Sequence, residues 1–107
     1  MSDLKTINTQ AIALAKAMPE VAGGFRQLAK AAHSGSRLSS AQKELLSASF
    51  GVVRGCEDCV IYHVDAARKL GAEREDLLEM LGIAAEMGGG PAMVYAAKAL
   101  AAFDAAN

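Results

Sequence analysis

The sequence predicts an all-α fold of about six short helices, and composition and spacing together indicate it. Hydrophobic residues make up 52% of the 107 residues, yet aromatic residues make up only 5%. Alanine, the strongest helix former, occupies 23 positions, whereas proline occurs twice. Apolar residues recur at intervals of three and four, as one face of a helix requires. These features disfavour an all-β fold.

The first three helices are delimited by proline, by a polar segment and by a capping box. The first ends before Pro19, and the second ends at residues 33–36, which read His-Ser-Gly-Ser. Ser39 with Gln42 is typical of a capping box, and the third helix should run from there to Gly55. The apolar stripes of these helices are Leu4, Ile7, Ala11, Leu14 and Met18; Val21, Phe25, Leu28 and Ala32; and Leu45, Ala48 and Val52.

The last three helices are delimited mainly by glycine. The fourth begins near Cys56 and ends in a basic pair before Gly71, a pattern suited to a helix C-terminus. The fifth begins with acidic residues and ends at the glycine run 88–90, after which Pro91 opens the sixth. We see no linker, so residues 1–107 are expected to form one domain. The apolar stripe of the fifth helix is Leu77, Leu81 and Ala84, and that of the sixth is Val94, Ala97 and Ala101. The methionines Met80, Met87 and Met93 are expected in the core.

Charge and hydropathy exclude some classes of partner. Eleven basic and 12 acidic residues give a net charge of −1 without a basic block, which disfavours nucleic acid. No apolar stretch approaches the roughly 20 residues that cross a bilayer, so we expect no membrane partner and a cytoplasmic protein. A mean hydropathy of +0.19 in so short a chain predicts that subunits bury apolar surface against one another.

Cys56, Cys59 and His63 are candidates for thiol chemistry. Their intervals of three and four residues place both thiols and the imidazole along one helical face. The free amides of a helix start stabilise a thiolate, and His63 is one turn beyond Cys59, where it can take the Cys59 proton. We therefore assign Cys59 the attacking role, and Cys56 would resolve a Cys59 sulfenic acid by forming a disulfide.

Glu44 is expected to orient His63. Glu44 lies 11 residues before the turn at Gly55, and His63 lies 8 residues after it. If the two helices pack antiparallel, these positions differ by roughly 4.5 Å in height at 1.5 Å of rise per residue. A carboxylate there would fix the tautomer of the imidazole and increase its basicity.

Two other interpretations of the cysteine pair remain open at this point. The cysteines could be inert, half-buried small hydrophobes. Two thiolates and an imidazole could also bind zinc, although a closed structural site needs a fourth ligand and only His33 remains as another histidine.

The residues also carry a family resemblance. The run 38–104 contains Lys-Glu-Leu at 43–45, Gly-Cys-Glu-Asp-Cys at 55–59 followed by His63, Gly-Ala at 71–72, and Glu-Met-Gly-Gly-Gly-Pro-Ala at 86–92. This run resembles the carboxymuconolactone decarboxylase and alkylhydroperoxidase D (AhpD-like) superfamily. The resemblance implies an all-α bundle that assembles as a homotrimer or homohexamer.

The resemblance also implies a thiol-dependent peroxidase of the peroxiredoxin type. Cys59 would be the peroxidatic cysteine and Cys56 its disulfide partner, with Glu44 and His63 in a proton relay. The partners would be a hydroperoxide and a dithiol reductant protein, and no bound cofactor is required. The alternatives are a lactone decarboxylase, whose branch of the superfamily does not depend on a cysteine pair, and a non-catalytic oligomeric or zinc-binding module.

One position departs from the pattern. The peroxidase members that this sequence resembles have a histidine immediately before the second cysteine, and Asp58 stands there in this chain. A carboxylate next to Cys59 opposes formation of the thiolate by charge repulsion.

Overall fold

The computed structural model describes residues 3–105, which contain six α-helices and no strand. The prediction of an all-α fold is confirmed. The helices are α1 (Leu4–Ala17), α2 (Pro19–Ala32), α3 (Ser40–Arg54), α4 (Glu57–Lys69), α5 (Arg74–Gly88) and α6 (Gly90–Ala105). No helix within the described range is long and apolar enough to span a lipid bilayer.

The capping signals read from the sequence are present at both ends of α3. The Gln42 backbone N–H donates to the Ser39 hydroxyl at 3.0 Å, and the Ser39 N–H donates to the Gln42 side-chain oxygen at 2.9 Å. At the other end, Gly55 adopts φ = 75°, a left-handed conformation that glycine accepts without steric cost. This turn sends α4 back along α3, so that the two helices form an antiparallel hairpin.

The core lies among the last four helices. α3 packs against α4, α5 and α6, and α6 also packs against α4 and α5. The largest fully buried side chains are Leu77, Val52, Val60 and Val64, with Phe103 also buried. Thus each of the four helices α3 to α6 contributes a large apolar side chain to one continuous cluster.

The hairpin of α1 and α2 is attached to this core at one edge. Among the described helices, α2 lies against α1 alone, and α1 reaches α4. The predicted apolar stripe of α2 is consequently exposed, with Phe25 at 69% of its maximal accessible area, and Val21 and Leu28 are similarly open. The rest of the described chain does not bury this stripe.

The methionines divide between core and surface. Met80 is partly buried and packs against the core, as expected. Met87 and Met93 are exposed, so the prediction that they are core residues is wrong. The predicted stripe of α6, Val94, Ala97 and Ala101, is exposed as well, because α6 buries the side that carries Ala92, Ala99 and Phe103. On α5 the buried side is the predicted one, Leu77, Leu81 and Ala84, and Met87 lies outside it.

Ion pairs connect the ends of the core helices. Arg74 at the start of α5 contacts Asp104 near the end of α6 at 3.0 Å. Near the end of α4, Asp65 accepts hydrogen bonds from Arg68 and Lys69 at 3.0 Å each. Partial burial opposes ionisation of Asp65, but the bonds from Lys69 and Arg68 outweigh it, and the pKa of Asp65 lies below its ordinary value.

Candidate functional site

The two cysteines form a disulfide at the start of α4. Cys56 is the N-cap residue of this helix, and its Cα lies 5.3 Å from that of Cys59. The backbone N–H of Cys59 donates to the Cys56 sulfur at 3.2 Å. A sulfur therefore occupies the position that a serine or aspartate oxygen takes in most helix caps.

Glu44 and His63 are in direct contact across the α3–α4 hairpin. Nδ1 of His63 lies 2.6 Å from Oε2 of Glu44, and the two side chains are 28% and 17% exposed. The contact expected from counting along the helices is thus present. Because the carboxylate is an acceptor only, Nδ1 carries the proton in this bond, and the lone pair of the neutral ring is left on Nε2.

The arrangement can move a proton at one end of α4. His63 lies one turn beyond Cys59 on the same helix, and Glu44 holds its ring from the neighbouring helix. All four residues that the sequence singled out lie on the α3–α4 hairpin or the turn between its helices. The catalytic roles assigned to them remain predictions.

Gly51 is a site residue that the sequence reasoning missed. A Cβ at this position would lie 3.2 Å from Cβ of Cys59 and 3.3 Å from the backbone nitrogen of Val60. These distances are shorter than ordinary van der Waals contacts, so a side chain at Gly51 would push the start of α4 away from α3 by a few tenths of an ångström. The signal was available, because Gly51 is seven residues after Glu44 and therefore on the same face of α3.

Replacing Gly51 by alanine is expected to destabilise the protein by about 1–3 kcal/mol, because α4 must move away from α3. The matched control is Gly82→Ala in α5, where a Cβ meets nothing within 4 Å. There the better helix propensity of alanine should stabilise by about 0.5–1 kcal/mol. Urea unfolding of the oxidised proteins measures both. Equal effects of the two substitutions would contradict the close approach at Gly51.

Within a single chain, the site is open to one side. Cys59 is exposed, and Tyr62, 47% exposed, meets the His63 ring edge-on at a centroid distance of 5.1 Å. Tyr62 lines a shallow groove of about 300 Å³ beside α1. A larger groove of about 580 Å³ lies between the start of α3 and α5 and is not lined by the cysteines, His63 or Glu44. Among the described residues, no three His, Cys, Asp or Glu side chains are grouped to hold a metal ion.

Comparison with protein families gives a match over residues 19–102 to the carboxymuconolactone decarboxylase family. The chain belongs to this family. The match begins at Pro19, so it includes α2 as well as the core helices. The family includes decarboxylases and peroxidase-like enzymes, so membership alone does not choose between the two chemistries.

Three proteins are similar to this chain, and the third is described as a member of the same family. An uncharacterized protein of Cupriavidus necator is 46% identical over 110 residues, covering 99% of this chain and 97% of the relative. An uncharacterized protein from the cox locus of Paracoccus denitrificans is 36% identical over 80 residues, 75% of this chain and 72% of the relative. The crystal structure of an apo carboxymuconolactone decarboxylase family protein from Legionella pneumophila is 44% identical, with a TM-score of 0.90 over 94% of this chain and 90% of the other.

Proposed function

We propose that this carboxymuconolactone decarboxylase family protein is a thiol-dependent peroxidase and disulfide oxidoreductase. The observation that supports the proposal is the Cys56–Cys59 disulfide at the start of α4, one turn from a histidine that is itself held by a carboxylate. A nucleophile, a base and a group that orients the base are the parts that covalent catalysis by a thiol requires.

In the oxidising half of the cycle, the Cys59 thiolate attacks the terminal oxygen of a hydroperoxide. The O–O bond breaks, the alcohol leaves with a proton from His63, and Cys59 becomes a sulfenic acid. The Cys56 thiolate then attacks the Cys59 sulfur, and hydroxide leaves as water after protonation. The hydroperoxide has been reduced to an alcohol and water, and two thiols have been oxidised to the disulfide.

The reducing half requires a dithiol partner protein, which takes the disulfide and restores both cysteines. A cytoplasmic location fits this proposal, because dithiol proteins are kept reduced there. No bound cofactor enters any step.

Lactone decarboxylation is the second candidate, since the family is named after that reaction. The two candidates differ in their need for the cysteines. Decarboxylation would survive replacement of both cysteines by serine, whereas peroxide reduction would not.

The proposal is tested by mixing the reduced protein with an organic hydroperoxide and following free thiols, alcohol product and intact mass. For each chain we expect one molecule of alcohol to form and two thiols to be lost, and the mass should fall by about 2 Da as the disulfide forms. Turnover should become continuous when a dithiol is added. The double variant Cys56→Ser/Cys59→Ser is the control. Equal hydroperoxide consumption by the wild type and this variant would refute the proposal.

We further propose that second copies of this chain cover the exposed face of α2. The chain exposes 7118 Å², whereas a folded monomer of 11.1 kDa exposes about 5,700 Å². The excess of roughly 1,400 Å² exceeds the 800 Å² or so that each partner contributes to a standard interface. A ring of copies, the homotrimer or homohexamer implied by the family resemblance, would bury it and shelter the open side of the site.

The replacement Phe25→Glu is expected to shift the protein from oligomer to monomer, because it places a charge in the centre of the apolar face of α2. Light scattering after size exclusion measures the mass of each form. The matched control, Gln27→Glu, makes the same change in net charge at an exposed polar position of the same helix and should leave the mass unchanged. A monomeric wild-type protein, or an oligomeric Phe25→Glu variant, would contradict the assignment of this face.

A further inference from the structure

We infer that the reductant attacks the sulfur of Cys59 and that Cys56 leaves as the thiolate. The inference deepens the proposed function and rests on it for the source of the disulfide. It names Cys59 as the sulfur that carries the mixed disulfide with the partner, which the order of the two cysteines in the sequence does not decide.

The first support is the hydrogen bond at the cap of α4. When a thiolate attacks a disulfide, negative charge develops on the sulfur that leaves, and exchange is faster when that sulfur holds charge well. The Cys59 backbone N–H donates to the Cys56 sulfur at 3.2 Å, at the positive end of a 13-residue helix. Within residues 3–105, no hydrogen bond is donated to the Cys59 sulfur.

The second support is the difference between the acidic neighbours of the two cysteines. Glu57 follows Cys56, and its carboxylate contacts the Lys98 ammonium group of α6 at 3.1 Å. Asp58 precedes Cys59, and the described part of the chain gives it no ion-pair partner. Lys98 therefore offsets the charge that would oppose a thiolate at Cys56, while the charge beside Cys59 is not offset.

The third support is access. Cys59 is exposed, whereas Cys56 is partly buried at the end of the α3–α4 turn. An incoming protein thiol must approach the attacked sulfur along the sulfur–sulfur axis, so the more open residue is the one that it reaches.

Two exchange steps restore the thiols. A reductant thiolate forms a bond to the Cys59 sulfur, the Cys56–Cys59 bond breaks, and its electron pair goes to Cys56, which is protonated by solvent. The second thiol of the reductant gives its proton to His63 and attacks the reductant's own sulfur, and Cys59 leaves and takes that proton from His63. The protein disulfide has gained two electrons, and the reductant has become a disulfide.

The experiment mixes oxidised wild-type protein with glutathione, quenches with acid at early times, and maps the adduct by peptide mass spectrometry. We expect the adduct on Cys59 in at least about fivefold excess over Cys56, because the rate of exchange depends on the leaving sulfur and on access. Equal adducts, or an excess on Cys56, would overturn the inference.

Single-cysteine variants provide a second test, which applies when the glutathione adduct is too short-lived to map. Cys59→Ser keeps the backbone N–H that contacts Cys56, so it isolates the Cys56 thiol in its native cap. The pH dependence of its alkylation by iodoacetamide then reports how well the cap and the Glu57–Lys98 contact hold charge on Cys56. The additional substitution Lys98→Gln should move the Cys56 alkylation profile to higher pH, whereas the same substitution in the Cys56→Ser variant should leave the Cys59 profile in place. A Cys56 profile that Lys98→Gln does not move, or a Cys59 profile that moves as far, would overturn the inference.

The outcome of this test is independent of the outcome of the test of the proposed function. It begins with the disulfide already formed, by peroxide or by any other oxidant, and measures only how the bond opens. If hydroperoxide did not oxidise the protein, the site of the glutathione adduct would still be informative. If hydroperoxide did oxidise it and the adduct lay on Cys56, only the direction of reduction would be wrong.

Discussion

Replacing Cys59 by serine is expected to abolish hydroperoxide reduction, whereas replacing Cys56 is expected to leave a single round of oxidation. Cys59 supplies the attacking sulfur one turn from His63, and a serine hydroxyl cannot accept the oxygen. The rate should fall at least about 10³-fold, since loss of an enzyme nucleophile commonly costs that much or more. Stopped-flow mixing of each reduced variant with a hydroperoxide measures it.

The Cys56→Ser variant provides the contrast. Its Cys59 should still be oxidised to the sulfenic acid, which accumulates because the resolving thiol is missing and which dimedone can trap as a mass adduct. If only Cys56→Ser removed the first oxidation step, the two cysteines would have opposite roles from those proposed. If neither substitution reduced consumption, the thiols would not be the site of peroxide chemistry.

The capping box and the Glu44–His63 contact could be predicted because both depend on local periodicity. Ser39 and Gln42 are three residues apart, and the helix N-terminus forms where such a pair can satisfy backbone amides. With Gly55 as the turn between two antiparallel helices, the rise per residue brings Glu44 and His63 to within roughly 4.5 Å of the same height. No knowledge of the rest of the chain was needed.

The exposure of Met87, Met93 and Phe25 could not be predicted in this way. A periodic stripe shows that a face is apolar, but it does not show whether the same chain or another copy covers it. On α6 the small residues Ala92 and Ala99 are buried instead of the predicted stripe, because they allow α6 to pack closely within the chain. Gly51 could be placed on the Glu44 face of α3 from its spacing alone, but its short distance to Cys59, which requires the absence of a side chain, depends on how α4 packs against α3.

Replacing Glu44 by glutamine is expected to slow Cys59 oxidation substantially while the fold remains intact. Glutamine has nearly the same shape, but it lacks the charged acceptor that holds the proton on Nδ1 of His63. General-base assistance by a positioned histidine contributes about 10²–10⁴-fold, so His63→Gln should lose that factor. Glu44→Gln should lose a large part of it, because a base that is no longer held in one tautomer and orientation transfers protons poorly.

The double variant distinguishes a relay from two independent effects. If Glu44 acts only through His63, then Glu44→Gln/His63→Gln is no slower than His63→Gln alone, since residues that act as a unit are not additive. Stopped-flow oxidation gives the four rates, and thermal unfolding checks that stability is retained. Glu75→Gln, an exposed carboxylate in the first turn of α5, is the matched control and should oxidise at the wild-type rate. If the two losses were additive, Glu44 would affect the rate of oxidation by a route other than the imidazole. If Glu44→Gln oxidised at the wild-type rate, the 2.6 Å contact would only stabilise the hairpin.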